Sequence, residues 1–151
     1  MRQDLYNDVP WDAVLENLDA VTASAYSVSL FTDWLGDSIR IAWLKSRIDA
    51  PVPPDELFGS PRRHDDQHMI PGQPVENTTT QSGIPGAWND RLPHFKLGFT
   101  PSSGDELQSE YLVPRRNVMP ALAAMRELGP AHRAATCSSR RCARWRPTGS
   151  G

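Results

Sequence analysis

Cysteine is missing from the first 136 residues of this 151-residue chain, and the two it has, Cys137 and Cys142, stand close together near the end. A disulfide framework is therefore excluded, and one Cys-x4-Cys pair without a second pair does not make a metal site. No apolar run reaches 18 residues, which excludes a transmembrane helix. The opening MRQDLYNDVP carries acids where a secretory leader would have its apolar stretch. These absences predict a soluble, cytoplasmic chain, with membrane association as the alternative. Gly83, Gly86, Gly98 and Gly104 do not form Gly-x-Gly-x-x-Gly, so no dinucleotide-binding turn is expected. No Ser-His-Asp grouping can be argued either, so no catalytic residue is assigned.

Acids are missing from one part of the chain. Residues 1–132 hold eleven Lys and Arg against eighteen Asp and Glu, whereas residues 133–151 hold five arginines and no acid. The net charge of −2 thus conceals two compositions.

Periodicity gives the elements. Arg2–Tyr6 reads as a short strand. Trp11, Val14, Leu15, Leu18, Val21 and Ala25 recur at helical spacing, with Asp8 and Pro10 where a cap and a first-turn proline belong. Tyr26–Thr32 and Ser38–Ile48 alternate as strands do, with Asp33–Asp37 between them as a hairpin loop. Residues 49–86 hold seven of the fourteen prolines and no sustained period, a long excursion of the kind that is functional or disordered. Phe95–Phe99 and Glu106–Val113 are further strand candidates. Val118, Leu122, Met125 and Leu128 form the stripe of a last helix, begun at Asn117 and stopped by Gly129-Pro130. The fold class expected is α+β, a mostly antiparallel sheet flanked by helices.

Chemistry-bearing residues are few. In the second alternating run Gln108 shares a face with Glu110. An amide supplies both donors and an acceptor, which suits a ligand of neighbouring hydroxyls, but a sheet-face glutamine satisfied by backbone or solvent is the plainer reading; Glu110 stays unassigned. His64 and His68 have the i, i+4 spacing of a helical metal pair, yet Pro61 and Pro71 bracket a segment without a helical stripe and no third ligand is evident, so no metal is expected. Trp34, Trp43 and Trp88 read as core or domain-interface anchors.

Two blocks carry a resemblance. Gly83–Arg115, GIPGAWNDRLPHFKLGFTPSSGDELQSEYLVPR, resembles the signature of the alditol (xylitol) oxidases, in the sugar and aldonolactone branch of the FAD-dependent oxidases related to vanillyl-alcohol oxidase. Ala25–Lys45, AYSVSLFTDWLGDSIRIAWLK, resembles the same family in the same order. The likeness runs from about Met1 to about Leu128. It implies that residues 1–128 are part of a substrate-binding (cap) domain, incomplete here, whose FAD is held by a domain absent from this chain. It implies a parent enzyme that oxidises the CH–OH group of polyols such as xylitol or sorbitol with oxygen as acceptor, and it carries Gln108 over as a polyol-contacting residue. The alternatives are an oxidase of the D-arabinono-1,4-lactone type, acting on a sugar lactone, and a non-catalytic remnant or binding module.

After Leu128 the apolar period is lost, and residues 129–151 are expected to be a frame-shifted, disordered tail. Back-translating Thr136–Gly151 with permitted codons and reading one base earlier allows the string HLLISEVRAVAADGLW. That string alternates, and it resembles the strand the family has at this point. Within it Ser-Glu-Val-Arg supplies a glutamate and an arginine that line the family's pocket, and their codons are split here across Arg140–Ala143. The chain alone is therefore expected to be inactive. A basic tail that binds nucleic acid would leave the hidden strand unexplained, so no nucleic-acid partner is expected.

Overall fold

Nine residues, Arg2–Pro10, form the first strand, β1, four longer than the sequence pattern marks. It pairs antiparallel with β3 (Ser38–Ser46), which also pairs antiparallel with β2 (Ser27–Thr32). In the computed structural model, which describes residues 1–99, 109–130 and the backbone of 140–143, the short strands β4 (Glu56–Leu57) and β5 (Ser60–Arg63) form a hairpin that joins the free side of β1. β6 (Arg140–Ala143) lies against β2. The sheet order is β4-β5-β1-β3-β2-β6. With three α-helices, α1 (Trp11–Glu16), α2 (Leu18–Ala23) and α3 (Val118–Leu128), the architecture is α+β around an open antiparallel sheet. Residues 140–143 belong to the segment expected to be a disordered tail, and they are paired as a strand.

The expected helix between β1 and β2 is two short helices. At Asn17 the backbone leaves the helical region (φ −118, ψ 24), and the side chain Nδ2 donates to the Ala13 carbonyl at 2.9 Å. Asparagine competes with the helix for its own backbone groups in this way. Asp8 does not cap: it lies within β1 at φ 53, and the first helical residue, Trp11, donates its N–H to the Asp37 carbonyl at 2.9 Å. Asn117 stands at the start of α3 without a side-chain cap bond. Phe95–Phe99 is not a strand. Phe95 makes one bridge, to Thr78; the chain then turns, with Phe99 N–H donating to Lys96 O at 3.1 Å and Gly98 at φ 91. Of the second candidate strand, residues 109–113 are exposed and lie in no strand, and the remainder lies outside the described residues.

Alternation gives the sheet two buried faces. On the helix side Tyr6, Val28, Leu30, Ala42 and Leu44 pack with Trp11, Val14, Leu18, Val21 and Leu122 of the helices. Trp34, at φ 64 in the β2–β3 loop, stacks on Trp11 at 5.4 Å. Gly129 lies so close to Trp34 that a Cβ there would stand 2.5 Å from the tryptophan's own, so the end of α3 seats against the Trp34 backbone only because residue 129 has no side chain. On the other side Leu5, Phe31, Ile41 and Trp43 are covered by Met69 and Ile70 of the long excursion and by Phe95 beyond it. The proline-rich segment that shows no period in sequence thus helps to cover the smaller of the two core clusters.

Candidate functional site

The loop-covered face is where polar and aromatic groups converge. Its organiser is Lys45, an odd-numbered residue of β3 that shares the face of Ile41 and Trp43 and is 1% exposed. Its Nζ donates to the carbonyls of Arg91 at 2.8 Å, Leu92 at 2.9 Å and also Pro93, and lies 5.7 Å from the Trp43 ring. A buried ammonium needs such a ring of acceptors, because desolvation of an unpaired charge would be prohibitive. The consequence is positional: three consecutive carbonyls held on one cation fix the segment that ends at His94.

His94 then lies over the sheet. Its ring stacks on Trp43 (5.3 Å between centroids, 24° between planes) and meets Phe31 edge-on at 5.8 Å. Its Nε2 is 3.1 Å from the hydroxyl of Ser29 on β2. Thr79 reinforces the arrangement, donating its hydroxyl to Pro93 O at 2.7 Å and its N–H to His94 O at 3.1 Å. Beneath the same excursion Gln81, fully buried, donates to Gln67 O at 2.9 Å and Thr78 Oγ1 at 3.0 Å, and accepts from Gln67 N–H at 2.9 Å. Gln3, opposite Lys45 in the β1–β3 register, is also fully buried, with both amide atoms unpaired. This face therefore carries hydroxyl, imidazole and amide groups, of which Ser29, His94 and Gln81 are engaged with protein partners.

Gln108, the substrate-binding residue expected from the sequence, lies outside the described residues. Glu110 is exposed. His64 and His68 are not on a helix. His64 is exposed, whereas His68 Nδ1 accepts from the Ile70 N–H at 3.0 Å, and burial depresses its pKa below the ordinary imidazole value. Among the described residues no three His, Cys, Asp or Glu side chains gather to hold a metal. Trp34 and Trp43 are core residues, whereas Trp88 is 67% exposed. It lines an open groove of about 520 Å³ with Met1, Tyr26, Ile48 and the Arg47–Asp49 ion pair. Ser29, Lys45 and His94 were missed by sequence reasoning. The available signal was a lysine in the buried phase of an otherwise apolar strand.

None of the described residues forms a glycine-rich turn leading from a strand into a helix N-terminus, where a dinucleotide's phosphates would be received. Among the described residues no helix is long and apolar enough to cross a membrane.

No family model matches the chain. Similarity to a curated protein is extensive: the chain is 47% identical over 123 residues to the alditol oxidase of Streptomyces sp. (strain IKD472 / FERM P-14339). The match covers 82% of this chain and 29% of that oxidase, so the chain spans less than a third of its relative's length. Identity at this level over most of a chain of this fold leaves one conclusion: the chain is related to the alditol oxidases.

Proposed function

We propose that the chain is part of the substrate-binding portion of an FAD-dependent alditol oxidase, a parent enzyme that oxidises the CH–OH group of polyols with oxygen as acceptor. The observation that carries this reading is the 47% identity to alditol oxidase across 82% of the chain. Residues 1–128 belong to the cap domain, and Gln108 is a polyol-contacting residue in its wall. The flavin and its chemistry belong to a part of the longer protein not contained in these 151 residues, in keeping with the lack of a phosphate-receiving turn among the described ones. Residues 129–151 are the product of a shifted reading frame, which removes the glutamate and arginine of the pocket. The chain alone is inactive.

The purified chain supplied with FAD should release no hydrogen peroxide from xylitol or sorbitol. Joined to the flavin-binding part of the Streptomyces oxidase, with the last sixteen residues in the alternative frame, it should oxidise a polyol faster than an aldonolactone. Turnover by the chain alone would refute its status as a fragment; a completed protein that prefers the lactone would refute the substrate.

A further inference from the structure

The excursion reaches the loop-side core through Met69 and Ile70, which pack with Leu5, Phe31, Ile41 and Trp43. Met69 is only 5% exposed. Three polar contacts seat this short stretch. Arg40 of β3 donates to the Met69 carbonyl. Upstream, the Gln67 N–H donates to Gln81 Oε1 at 2.9 Å. Between them His68 bends back on the chain, and its Nδ1 accepts the Ile70 N–H at 3.0 Å.

Only one of the three depends on a proton. A guanidinium keeps its charge near neutral pH, and a side-chain amide does not titrate. An imidazole nitrogen accepts a hydrogen bond only while it carries no proton itself. The Ile70 carbonyl stands 3.2 Å from the same Nδ1, so a protonated ring has an alternative partner on the same residue. Taking it leaves the Ile70 N–H without its acceptor, and the turn that presents Met69 to the core loses its closing bond.

The surroundings of His68 favour the neutral ring. Arg40 faces it from β3 as a cation. From the loop beyond the excursion the Phe95 ring tilts against it at 5.7 Å. The titratable neighbours of Phe95 are engaged elsewhere: His94 lies over Trp43, and the Lys96 ammonium donates to the Glu76 carbonyl. On its own segment Asp65 accepts from Arg63 and Gln67, Asp66 accepts from Ser82, and His64 is exposed. Among the described residues no carboxylate pairs with the His68 ring. Burial, joined by the Arg40 charge and opposed by the Ile70 carbonyl, holds the ring below the ordinary imidazole value. The closing bond is therefore complete above the unfolded value of about 6.5 and is lost as pH falls through the folded one.

We propose that His68 is a pH-operated clip on the excursion. With the ring neutral it pins Met69 and Ile70 over Phe31 and Trp43; with the ring protonated that short stretch lifts and opens this part of the loop-side face. Gln67, held by Gln81, and residues 91–93, held by Lys45, stay in place. The clip belongs to this chain's own fold and stands or falls independently of the oxidase reading.

The test is amide exchange in the 151-residue chain, expressed at each pH as protection relative to the unstructured rate. Protection at Ile70 should fall by about threefold or more between about pH 7.5 and pH 5, with no matching fall at Gln67 or at Leu44 of β3. His68→Asn, whose side-chain oxygen replaces the Nδ1 acceptor without titrating, should keep Ile70 protected throughout. His68→Leu should leave Ile70 poorly protected at every pH. An unchanged Ile70 in the parent overturns the clip. So does an equal loss in His68→Asn, which would assign the effect to His94, or a parallel loss at Gln67 and Leu44, which is global acid unfolding. If the variants do not fold, the ring signals of the parent decide: His68 must titrate below about 6.5 and in step with Ile70, and titration at or above that value, or out of step, overturns the proposal.

Discussion

The two faces of the sheet are built on different terms. The helix-side face is almost wholly apolar, closed by helices whose stripes repeat at three and four residues, and much of its packing joins elements near in sequence. The loop-side face is closed by a segment without period, and it is held there by polar anchors. These are the Lys45 ammonium on three carbonyls, Arg40 on the Met69 carbonyl, Gln81 on Gln67, and Thr79 on Pro93. An apolar face is covered by anything of matching shape, because the hydrophobic effect has no direction. A polar face must be covered by one particular backbone path, because each buried donor needs its own acceptor. That specificity is what a ligand-positioning wall requires, and it explains why the irregular half of the chain carries the candidate site.

Neighbouring residues of β3 allow the comparison to be broken on either side. Trp43 and Leu44 are both fully buried, and they face opposite ways. Trp43→Ala should have the largest effect, a loss of about 3–5 kcal/mol in urea unfolding. It should also release the segment around His94, seen as faster amide exchange at residues 91–95. Leu44→Ala should cost about 2–5 kcal/mol by the same rule but leave exchange at residues 91–95 unchanged. Equal loosening of that segment by both substitutions would show that the faces are not independent.

Lys45→Met keeps the bulk and removes the donors. Stranding three carbonyls should cost about 2–3 kcal/mol and speed exchange at residues 91–95, with little change in the helices. If the methionine variant is as stable as the parent, residues 91–93 are held by apolar contact alone and the distinction between the faces fails.

The smallest effect belongs to Tyr6, on the helix side, whose hydroxyl donates to Pro54 O at 2.5 Å. Burial pushes its phenol up to about 12. A folded-state pKa raised above the unfolded value of about 10 means that the contribution is complete below pH 10 and is lost as pH rises toward 12. Tyr6→Phe should cost about 1 kcal/mol at neutral pH and flatten the decline in stability between pH 10 and 12. A decline of the same steepness in the variant would assign it to other groups.

Where the covering element is local and periodic, the fold was legible in sequence. The alternation of Tyr26–Thr32 and Ser38–Ile48 gave β2 and β3 to within two residues, and the stripe from Val118 gave α3. Legibility failed where a polar residue or a turn overrode the pattern. Asn17 divides a continuous apolar stripe, Asp8 sits inside a strand, and the alternation of Phe95, Leu97 and Phe99 is broken at Gly98. The site was legible as chemistry in Gln108, which lies outside the described residues, while Ser29, Lys45 and His94 passed unnoticed. Their significance lies in which backbone atoms reach them across the chain, and no local pattern encodes that.

By itself the sequence determined the strands and helices that repeat, the sign change in charge at residue 133, and a kinship to alditol oxidases that the 47% identity bears out. Only the tertiary structure decided that a proline-rich excursion covers one face of the sheet, that one buried lysine holds residues 91–93 against that face, and that residues 140–143 lie along β2. Periodicity reports which way a side chain points. A hydrogen bond between residues dozens of positions apart exists only once both are in place, and the loop-side face is made of such bonds.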